Sequence, residues 1–371
     1  MNDFNIFRKE VEKDGVKIIS MGEVKDPRPN FCGSYNLDYD LVVPFPAGRI
    51  TEIYGWEGTR KTTLLLEIFG QAILNDRMCL YVNMERNLNL SLMKTIRPLR
   101  PFLKQAIENF EAQAKNLKLP HPECKFWIAN ADNGEAALET MRKFANMFPN
   151  SVVGLDSIDA AQPEAVLAGE IGDKNMGKHA QLMADAMHKL IPVAETNDVA
   201  LIFINQFRQK MTMYGSPDIT PGGFAIKFYA SQRIELKKPS KTDLINDDDG
   251  QVIGANIRYR IAKNKSAPDG IDGEFSVLLK NGIFREKELI SKCLSFGILK
   301  FGGRGGKQVL LPELKDGKET GEFITLKQFD AARRLILDQE LFNYLDKLYH
   351  NTIIPNKHYV DEFIDEIQNP K

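Results

Sequence analysis

Short apolar runs alternate with longer helical patterns between residues 49 and 205, and this alternation limits the possible folds more than any other feature. The apolar runs have the length of strands, and the segments between them have the length and periodicity of helices. Buried strands joined through helices form a mostly parallel sheet with both faces covered, so the sequence predicts an α/β fold. The predicted strands cover residues 49–55, 78–84, 124–129, 151–157 and 199–205, and the predicted helices cover residues 62–74, 101–118, 134–148 and 178–197.

Shorter regions of different character flank this core. The N-terminal segment combines an amphipathic stretch, residues 4–16, with a predicted strand at 16–20. After residue 230 the alternation stops, and polar-apolar strands are joined by hairpin signals such as the turn at 247–250. The last part reads as a small α+β domain that ends in an acidic helix, residues 360–368. The expected domains are therefore an N-terminal oligomerisation segment at 1–30, a core at 31–284 and a C-terminal domain at 285–371.

Composition narrows the class of protein. The formal net charge is -1, so any nucleic-acid site must be a local basic patch rather than a global basic field. The 4 cysteines are far apart and form no CxxC pair, which indicates free thiols in a reducing compartment. The sequence shows neither a signal peptide nor an apolar run of the ~20 residues that span a membrane. We expect a cytoplasmic protein without a membrane partner.

A phosphate-binding motif lies at the end of the first predicted strand. The segment 55–62, GWEGTRKT, follows that strand and opens a helix, which is the context that a P-loop requires. Backbone N–H groups and the helix N-terminus would face the phosphates, Lys61 would reach the outer phosphates, and Thr62 would hold magnesium. The pattern expects glycine where Arg60 stands, so a decayed or accidental loop is the competing interpretation. The candidate nucleotide-binding residues are Gly55, Trp56, Glu57, Gly58, Thr59, Arg60, Lys61, Thr62 and Thr63.

Carboxylates at two other strand ends favour the P-loop interpretation. Asp156 ends an apolar strand, as does the second metal-site element of P-loop ATPases, although a buried strand that ends in aspartate is common. Glu85 directly follows the strand at 78–84, where a carboxylate can orient or deprotonate an attacking water. The strand ends of one parallel sheet converge on one crevice. Lys61, Glu85 and Asp156 are therefore expected to meet, with Thr62 and Asp156 as the candidate Mg²⁺ residues.

Several later segments resemble one family. The segments at 167–190, 201–211 and 220–236, together with IAKNK at 261–265, are similar to the corresponding segments of RecA-family recombinases. The resemblance runs from about residue 16 to residue 285. It implies a RecA-type P-loop ATPase core, a homo-oligomeric helical filament on single-stranded DNA, and homologous pairing and strand exchange with double-stranded DNA.

The resemblance also implies roles for single residues. ATP and Mg²⁺ would bind at a subunit interface, with Lys61 and Thr62 at the phosphates and the metal. Glu85 matches the catalytic glutamate. The remaining matches are Asp156 with Ser157 as the second acidic motif, Gln206 as the sensor of the terminal phosphate, Lys263 and Lys265 as lysines that reach the neighbouring subunit's ATP, and Phe228 as an interface residue.

Two loops would bind DNA on the same resemblance. They span about residues 164–178 and 207–223, and their glycines allow backbone amides to approach phosphates. Apolar and aromatic side chains there can stack on bases without reading sequence. The candidate DNA-binding residues are Gly169, Gly172, Met176, Gly177, Arg208, Lys210, Met211, Met213, Tyr214, Gly222 and Gly223.

The chain departs from the family pattern at several positions. Arg60 replaces a glycine, Asn89 and Leu92 replace an aspartate and a tyrosine that lie against adenine, and the helix at 101–118 looks like an insertion. Because of Arg60, the alternative function is an ATP-gated DNA-binding filament with little or no hydrolysis. A glycine-rich turn at 301–307 could capture duplex DNA through Lys300, Arg304 and Lys307, or be an ordinary hairpin.

Overall fold

The structure is a computed structural model that describes residues 3–13, 21, 24, 26–115, 118, 124–170, 177–209, 218–219, 223–303 and 305–353. The strand predicted at 16–20 and the acidic helix predicted at 360–368 lie outside these residues.

The four helices predicted between residues 49 and 205 agree with observed helices to within a few residues. Helix α8 has the predicted bounds, and α5 occupies most of the predicted insertion at 101–118. The helices are α1 (Asp3–Glu12), α2 (Tyr35–Leu41), α3 (Lys61–Leu74), α4 (Leu90–Thr95), α5 (Arg100–Ala114), α6 (Gly134–Met147), α7 (Glu164–Leu167), α8 (Lys178–Asn197), α9 (Gly223–Tyr229), α10 (Arg285–Ser295), α11 (Gln328–Leu337) and α12 (Gln339–Ile353).

The strands that the structure describes include the five predicted between residues 49 and 205, each within two residues of its predicted bounds. They are β1 (Ile50–Gly55), β2 (Cys79–Asn83), β3 (Phe126–Ala129), β4 (Val152–Asp156), β5 (Ala200–Gln206), β6 (Arg208–Gln209), β7 (Asp218–Ile219), β8 (Gln232–Leu236), β9 (Leu244–Asn246), β10 (Val252–Asn264), β11 (Ile271–Leu278), β12 (Gly282–Ile283), β13 (Lys300–Gly302), β14 (Gln308–Lys315) and β15 (Lys318–Leu326).

One large sheet organises the described residues. Its order is β12-β11-β10-β8-β1-β5-β4-β2-β3, with β9 paired to β10. The strands from β8 to β3 in this order run parallel, whereas β9 to β12 form antiparallel pairs. The carboxyl ends of the parallel strands lie at one edge of the sheet, and the segments that follow β1, β2, β4 and β5 meet there.

Helices cover both faces of the parallel part. Ile202 and Ile204 of β5 pack into the apolar cluster that contains the buried side chains of α3. The alternate residues Leu201 and Phe203 pack into a second cluster with α6 and α8. Successive side chains of a strand point to opposite faces, which is why one continuous apolar run serves both clusters.

A smaller α+β part follows β12. Strands β13, β14 and β15 form an antiparallel sheet of 3 strands, and α10, α11 and α12 pack on it around a third apolar cluster. Tyr35 of α2 belongs to this cluster, so the C-terminal part packs directly on the core. The predicted fold class, a mostly parallel α/β core with a small α+β C-terminal part, is confirmed. Among the described residues, no helix combines the length and apolar character needed to span a membrane.

Two buried carboxylates lie where the core leads into the C-terminal part. Glu288 of α10 accepts hydrogen bonds from Ser34 Oγ at 2.7 Å and from Ser276 N at 2.9 Å. Glu67 of α3 accepts one from Ile283 N at 2.8 Å. Burial raises the pKa of Glu288 to about 7 and that of Glu67 to about 8, because a low-dielectric environment disfavours the charged form.

The raised pKa of Glu67, which bonds to β12 within the core, makes the stability of the fold depend on pH. A folded-state pKa above the ordinary value means that the folded chain holds the proton more tightly than the unfolded chain. The stabilisation by Glu67 is therefore complete below its ordinary pKa of 4.5 and is lost as the pH rises through about 8. We predict that Glu67→Gln, which keeps the acceptor and removes the charge, lessens this loss by about 1.4 kcal/mol per pH unit while Glu67 titrates.

Denaturant unfolding at intervals of roughly one pH unit, between about pH 5 and pH 8, measures the difference in the free energy of unfolding between the parent and Glu67→Gln. The exposed Glu111 of α5 provides the control, since Glu111→Gln should leave the pH profile of the parent unchanged. Parallel pH profiles for the parent and Glu67→Gln would show that Glu67 does not titrate in this range.

Candidate functional site

The loop between β1 and α3 is a tight cradle. Gly55 has φ +155°, and a Cβ on it would lie 2.2 Å from Leu236 O of β8, so a larger residue does not fit. Gly58 has φ +77°, and open space surrounds the position of its missing Cβ. Arg60 caps α3 in the left-handed conformation, with φ 69° and ψ 25°. The arginine therefore adopts the backbone geometry of the expected glycine, at a cost of about 1–2 kcal/mol for a residue with a Cβ.

Lys61 begins α3 and points back into its own loop. Its Nζ donates hydrogen bonds to Gly55 O at 2.9 Å and Trp56 O at 2.8 Å. Burial lowers the pKa of Lys61, and the nearby carboxylates Asp156 and Glu85 oppose this shift. A buried ammonium is thus held at the centre of the loop by weak, neutral acceptors.

A hydroxyl and a carboxylate form the next layer. Thr62 Oγ1 donates a hydrogen bond of 2.6 Å to Asp156 Oδ2. Tyr81 OH donates a second bond of 2.6 Å to the same oxygen. Burial raises the pKa of Asp156, and both hydrogen bonds oppose the shift by stabilising the anion. β4 supplies the carboxylate, α3 the threonine and β2 the tyrosine.

Glu85 lies at the same edge of the sheet. Its Oε1 accepts hydrogen bonds from Ser157 Oγ at 2.5 Å and Gln206 Nε2 at 2.7 Å. Its Oε2 accepts a third from Asn87 Nδ2 at 2.9 Å. The ends of β2, β4 and β5 therefore converge on one half-buried carboxylate, which is oriented on both of its oxygens.

The donors and acceptors of this edge suit a nucleotide with a divalent cation. The first hydrogen bond of α3 runs from Leu64 N to Arg60 O, so the N–H groups of residues 61–63 precede the helix ladder and face outward. Such N–H groups at a helix N-terminus are an anion site. The hydroxyl of Thr62 and the carboxylate of Asp156 are hard oxygen donors of the type that Mg²⁺ prefers. The residues present fit both groups.

Three of the predicted site residues lie elsewhere. In the sheet register, Gly55 pairs with Leu236 of β8, whereas the far end of β8 pairs with the segment that contains Lys263. The lysine pairs with Arg233, three residues before Leu236, and is therefore roughly 10 Å along the strands from the P-loop, at ~3.3 Å per residue. Its Nζ donates to Phe228 O at 2.8 Å, and the side chain of Phe228 is 75% exposed. Lys265 is exposed beside them.

The described ends of the two predicted DNA loops lie close together. Gly177 caps α8 with φ +87°. Gly223 begins α9 with φ +68°, and a Cβ on it would lie 2.8 Å from Ala180 Cβ of α8. Near the start of the second loop, Arg208 of β6 pairs with β7 and donates a hydrogen bond of 2.5 Å to Asp159 Oδ2. Both loops therefore leave the core near the carboxyl edge of the sheet.

The structure differs from the predicted first loop at its start, because Glu164–Leu167 forms the helix α7, which is followed by the exposed Gly169. Most of the other predicted DNA-binding residues lie outside the described part of the chain. They are Gly172, Met176, Lys210, Met211, Met213, Tyr214 and Gly222.

Sequence reasoning missed three contacts of the site. Tyr81 lies inside an apolar run and reads as a core residue, and Asn87 follows Glu85 in a polar loop without any pattern. Trp56 of the P-loop packs against Phe207 with ring centroids 5.7 Å apart. Phe207 directly follows Gln206, so this contact joins the P-loop to the start of the second predicted DNA loop. Only the position of Phe207 after a strand end could have indicated the contact.

The amino-acid sequence is similar to those of several RecA proteins. Protein RecA of Porphyromonas gingivalis is 31% identical over 330 residues, which cover 85% of this chain and 89% of that protein. Protein RecA of Thermus aquaticus is 30% identical over 345 residues, covering 89% and 94%. Protein RecA of Wigglesworthia glossinidia brevipalpis is 34% identical over 297 residues, covering 80% and 82%.

A solved structure of the RadB recombinase covers 68% of this chain and 98% of its own, with 17% identity and a TM-score of 0.47, and this distant likeness supports no conclusion here. The model of the RecA N-terminal domain matches residues 6–97 and 111–284. The unmatched residues between these ranges fall mostly in α5, which agrees with an insertion at that helix. The matched ranges cover most of the chain, and the chain belongs to the RecA family.

Proposed function

We propose that this chain is an ATP-dependent recombinase that assembles on single-stranded DNA as a filament and exchanges strands with homologous duplex. The observation that carries the proposal is the hydrogen-bonded cluster of Glu85, Ser157 and Gln206 beside Lys61 and Asp156. The cluster brings together a proposed base, Glu85, a proposed phosphate-binding cation, Lys61, and a proposed metal ligand, Asp156. All three lie at the carboxyl edge of the sheet.

Each group has a distinct part in ATP hydrolysis. Lys61 would exchange its loop carbonyls for the outer phosphates, since a charged acceptor makes the stronger hydrogen bond. Thr62 and Asp156 would hold Mg²⁺, which supplies charge neutralisation at the phosphates when it is bound. Glu85, held on both oxygens, would orient the attacking water and accept its proton. Gln206 bonds directly to Glu85 and would report the state of the terminal phosphate.

The same glutamine leads into the proposed DNA site. Gln206 is followed by Phe207 and Arg208, which begin the second loop. Because the described ends of both loops lie beside one another, DNA held by them would contact a single surface of the core. Phosphate contacts and stacking there would give binding that depends on salt and little on sequence.

The position of Lys263 and Lys265 supports assembly of several copies. They lie with exposed Phe228 at the amino edge of the sheet, opposite their own P-loop. Cations there can act on ATP only if the nucleotide belongs to another copy. We propose that this surface meets the P-loop edge of a neighbour, which is a head-to-tail interface of the kind that builds helical filaments.

The turn at 301–307 joins β13 to β14 as a hairpin. Lys300 and Lys307 are exposed at its base, and Arg304 lies outside the described residues. We retain capture of duplex DNA as its proposed role. The proposed domains, 1–30, 31–284 and 285–371, place this turn in the C-terminal domain, outside the ATPase core.

Replacing Glu85 with glutamine tests the catalytic part. The amide oxygen of the variant can still accept bonds from Ser157 and Gln206, but it cannot take the proton of the water. We predict unchanged ATP affinity and turnover slower by about 10²- to 10⁴-fold in the presence of single-stranded DNA. ATPase assays with and without DNA, together with nucleotide binding, measure both quantities. Glu139→Gln on α6 is the control for a lost carboxylate, and a Glu85→Gln protein that turned over at the parent rate would make Glu85 a bystander.

Mixing two inactive variants tests the shared site. Lys61→Ala removes the phosphate-facing cation of one copy, and Lys263→Ala with Lys265→Ala removes the lysines of the other. For random mixing at a head-to-tail interface, about a quarter of the interfaces join two intact halves. We predict that the mixture recovers DNA-stimulated turnover that neither variant shows alone. A mixture as inactive as its components would place the lysines outside the reaction.

Arg60→Gly separates the proposed recombinase from the alternative, an ATP-gated filament with little or no hydrolysis. With φ 69°, Arg60 lies in the left-handed conformation that a glycine adopts without strain. We predict that the parent hydrolyses ATP and that the glycine variant improves ATP affinity by no more than about tenfold, ~1.4 kcal/mol. The ATP turnover of the parent and of Arg60→Gly, each with and without DNA, distinguishes the two functions. A parent without ATP turnover, together with a glycine variant that hydrolyses ATP, would establish the alternative.

A further inference from the structure

Tyr81 places the one hydroxyl of β2 against the carboxylate of β4. Its side chain is fully buried, and its ring packs edge-on against Phe69 of α3 with centroids 6.2 Å apart. A phenylalanine would fill this apolar space as well. The hydroxyl must be accounted for by its hydrogen bond, because a buried polar group without a partner is destabilising. That bond is the 2.6 Å contact with Asp156 Oδ2.

The oxygens of Asp156 are used unequally. Oδ2 accepts from both Tyr81 OH and Thr62 Oγ1, each at 2.6 Å. No hydrogen bond to Oδ1 is present among the residues that the structure describes. Two donors on one oxygen, arriving from different elements, fix the torsion of the carboxylate and leave Oδ1 available to a metal or its water.

Thr62 is oriented by the same contact. A hydroxyl has one proton and two lone pairs. Because the proton of Thr62 is directed at Asp156, its lone pairs remain for a cation. The threonine and the aspartate are thus arranged before any ligand binds, and Tyr81 of β2 holds the aspartate through a second hydrogen bond to the same oxygen.

We propose that Tyr81 is a positioning residue for the divalent cation, acting through Asp156. The proposal rests on the proposed function, since it concerns the same nucleotide site. Tyr81 does not touch the reacting groups. Its effect should therefore appear in the concentration of Mg²⁺ that the site needs, and only weakly in turnover once the metal saturates.

The test compares Tyr81→Phe with a matched control. Tyr259 of β10 is also a buried tyrosine of the same sheet, two strands from β1, and its hydroxyl donates a hydrogen bond of 2.6 Å to Asp40 Oδ2 of α2 instead of a carboxylate of the candidate site. Each change to phenylalanine removes one buried hydroxyl from an aspartate and keeps the ring. Thermal unfolding in EDTA checks that both variants are folded.

Equilibrium binding of a fluorescent ATP analogue supplies the measurement. Affinity is recorded in EDTA and then over a series of Mg²⁺ concentrations, and Mn²⁺ binding to the nucleotide complex is followed by electron paramagnetic resonance. We expect Tyr81→Phe to match the parent in EDTA and to need about tenfold more Mg²⁺ for half of the metal-linked gain, as loss of a hydrogen bond to a charged group implies. Tyr259→Phe should need no more Mg²⁺ than the parent.

The outcomes separate the two proposals. A parent without Mg²⁺-linked nucleotide binding would overturn the proposed function and the role of Tyr81 together. A parent that shows this binding, with a Tyr81→Phe variant at the same Mg²⁺ midpoint, would overturn the role of Tyr81 alone. Equal shifts in Tyr81→Phe and Tyr259→Phe would also overturn it, because they would reflect a general loosening of the core.

Discussion

The candidate site depends on the register of four parallel strands. Asn83 of β2 lies opposite Asp156 of β4, and Gly55 of β1 lies opposite Gln206 of β5. In this register, Glu85, Ser157 and Gln206 lie at the same end of their strands. Ser157 and Gln206 both donate hydrogen bonds to the carboxylate of Glu85. A slip of one residue would turn a side chain to the other face of the sheet. Leu201 and Ile202 of β5 are buried in separate apolar clusters on opposite faces, so a slip would require both close-packed clusters to repack.

Much of this edge could be predicted because its signals are local. The strands are short apolar runs and α8 has a strong helical periodicity. The polar residues at the strand ends indicate where the site lies. The contacts made by Tyr81 could not be predicted in the same way. A tyrosine among Leu80 and Val82 looks like packing, and only the pairing of β2 with β4 brings its hydroxyl to Asp156. Likewise, the distance of Lys263 from the P-loop follows from the pairing of β8 with β1 and β10, which could not be predicted from any one segment of the sequence.

The departures from the family pattern are absorbed by local backbone chemistry. Arg60 takes the left-handed conformation at the N-cap position of α3, which is the conformation that the expected glycine would favour. Asn89 caps α4, with its side chain accepting from Leu92 N at 2.9 Å. An asparagine is a favourable capping residue, which gives this position a structural use whatever lies against the base. Helix α5 adds a covering element beside β3 without entering the edge that carries the site.

The side chain of Lys61 points into its own loop, and this orientation affects which ligands the loop can bind. Its ammonium is already satisfied by the carbonyls of Gly55 and Trp56, so the loop stays closed on itself without a partner. A ligand that opens this arrangement must offer the lysine more than neutral carbonyls do. At the proposed nucleotide site, a nucleoside monophosphate would bring no outer phosphate near the lysine and would not make that exchange, whereas a triphosphate would. On that proposal, the loop would discriminate among nucleotides by the charge that they carry beyond the first phosphate.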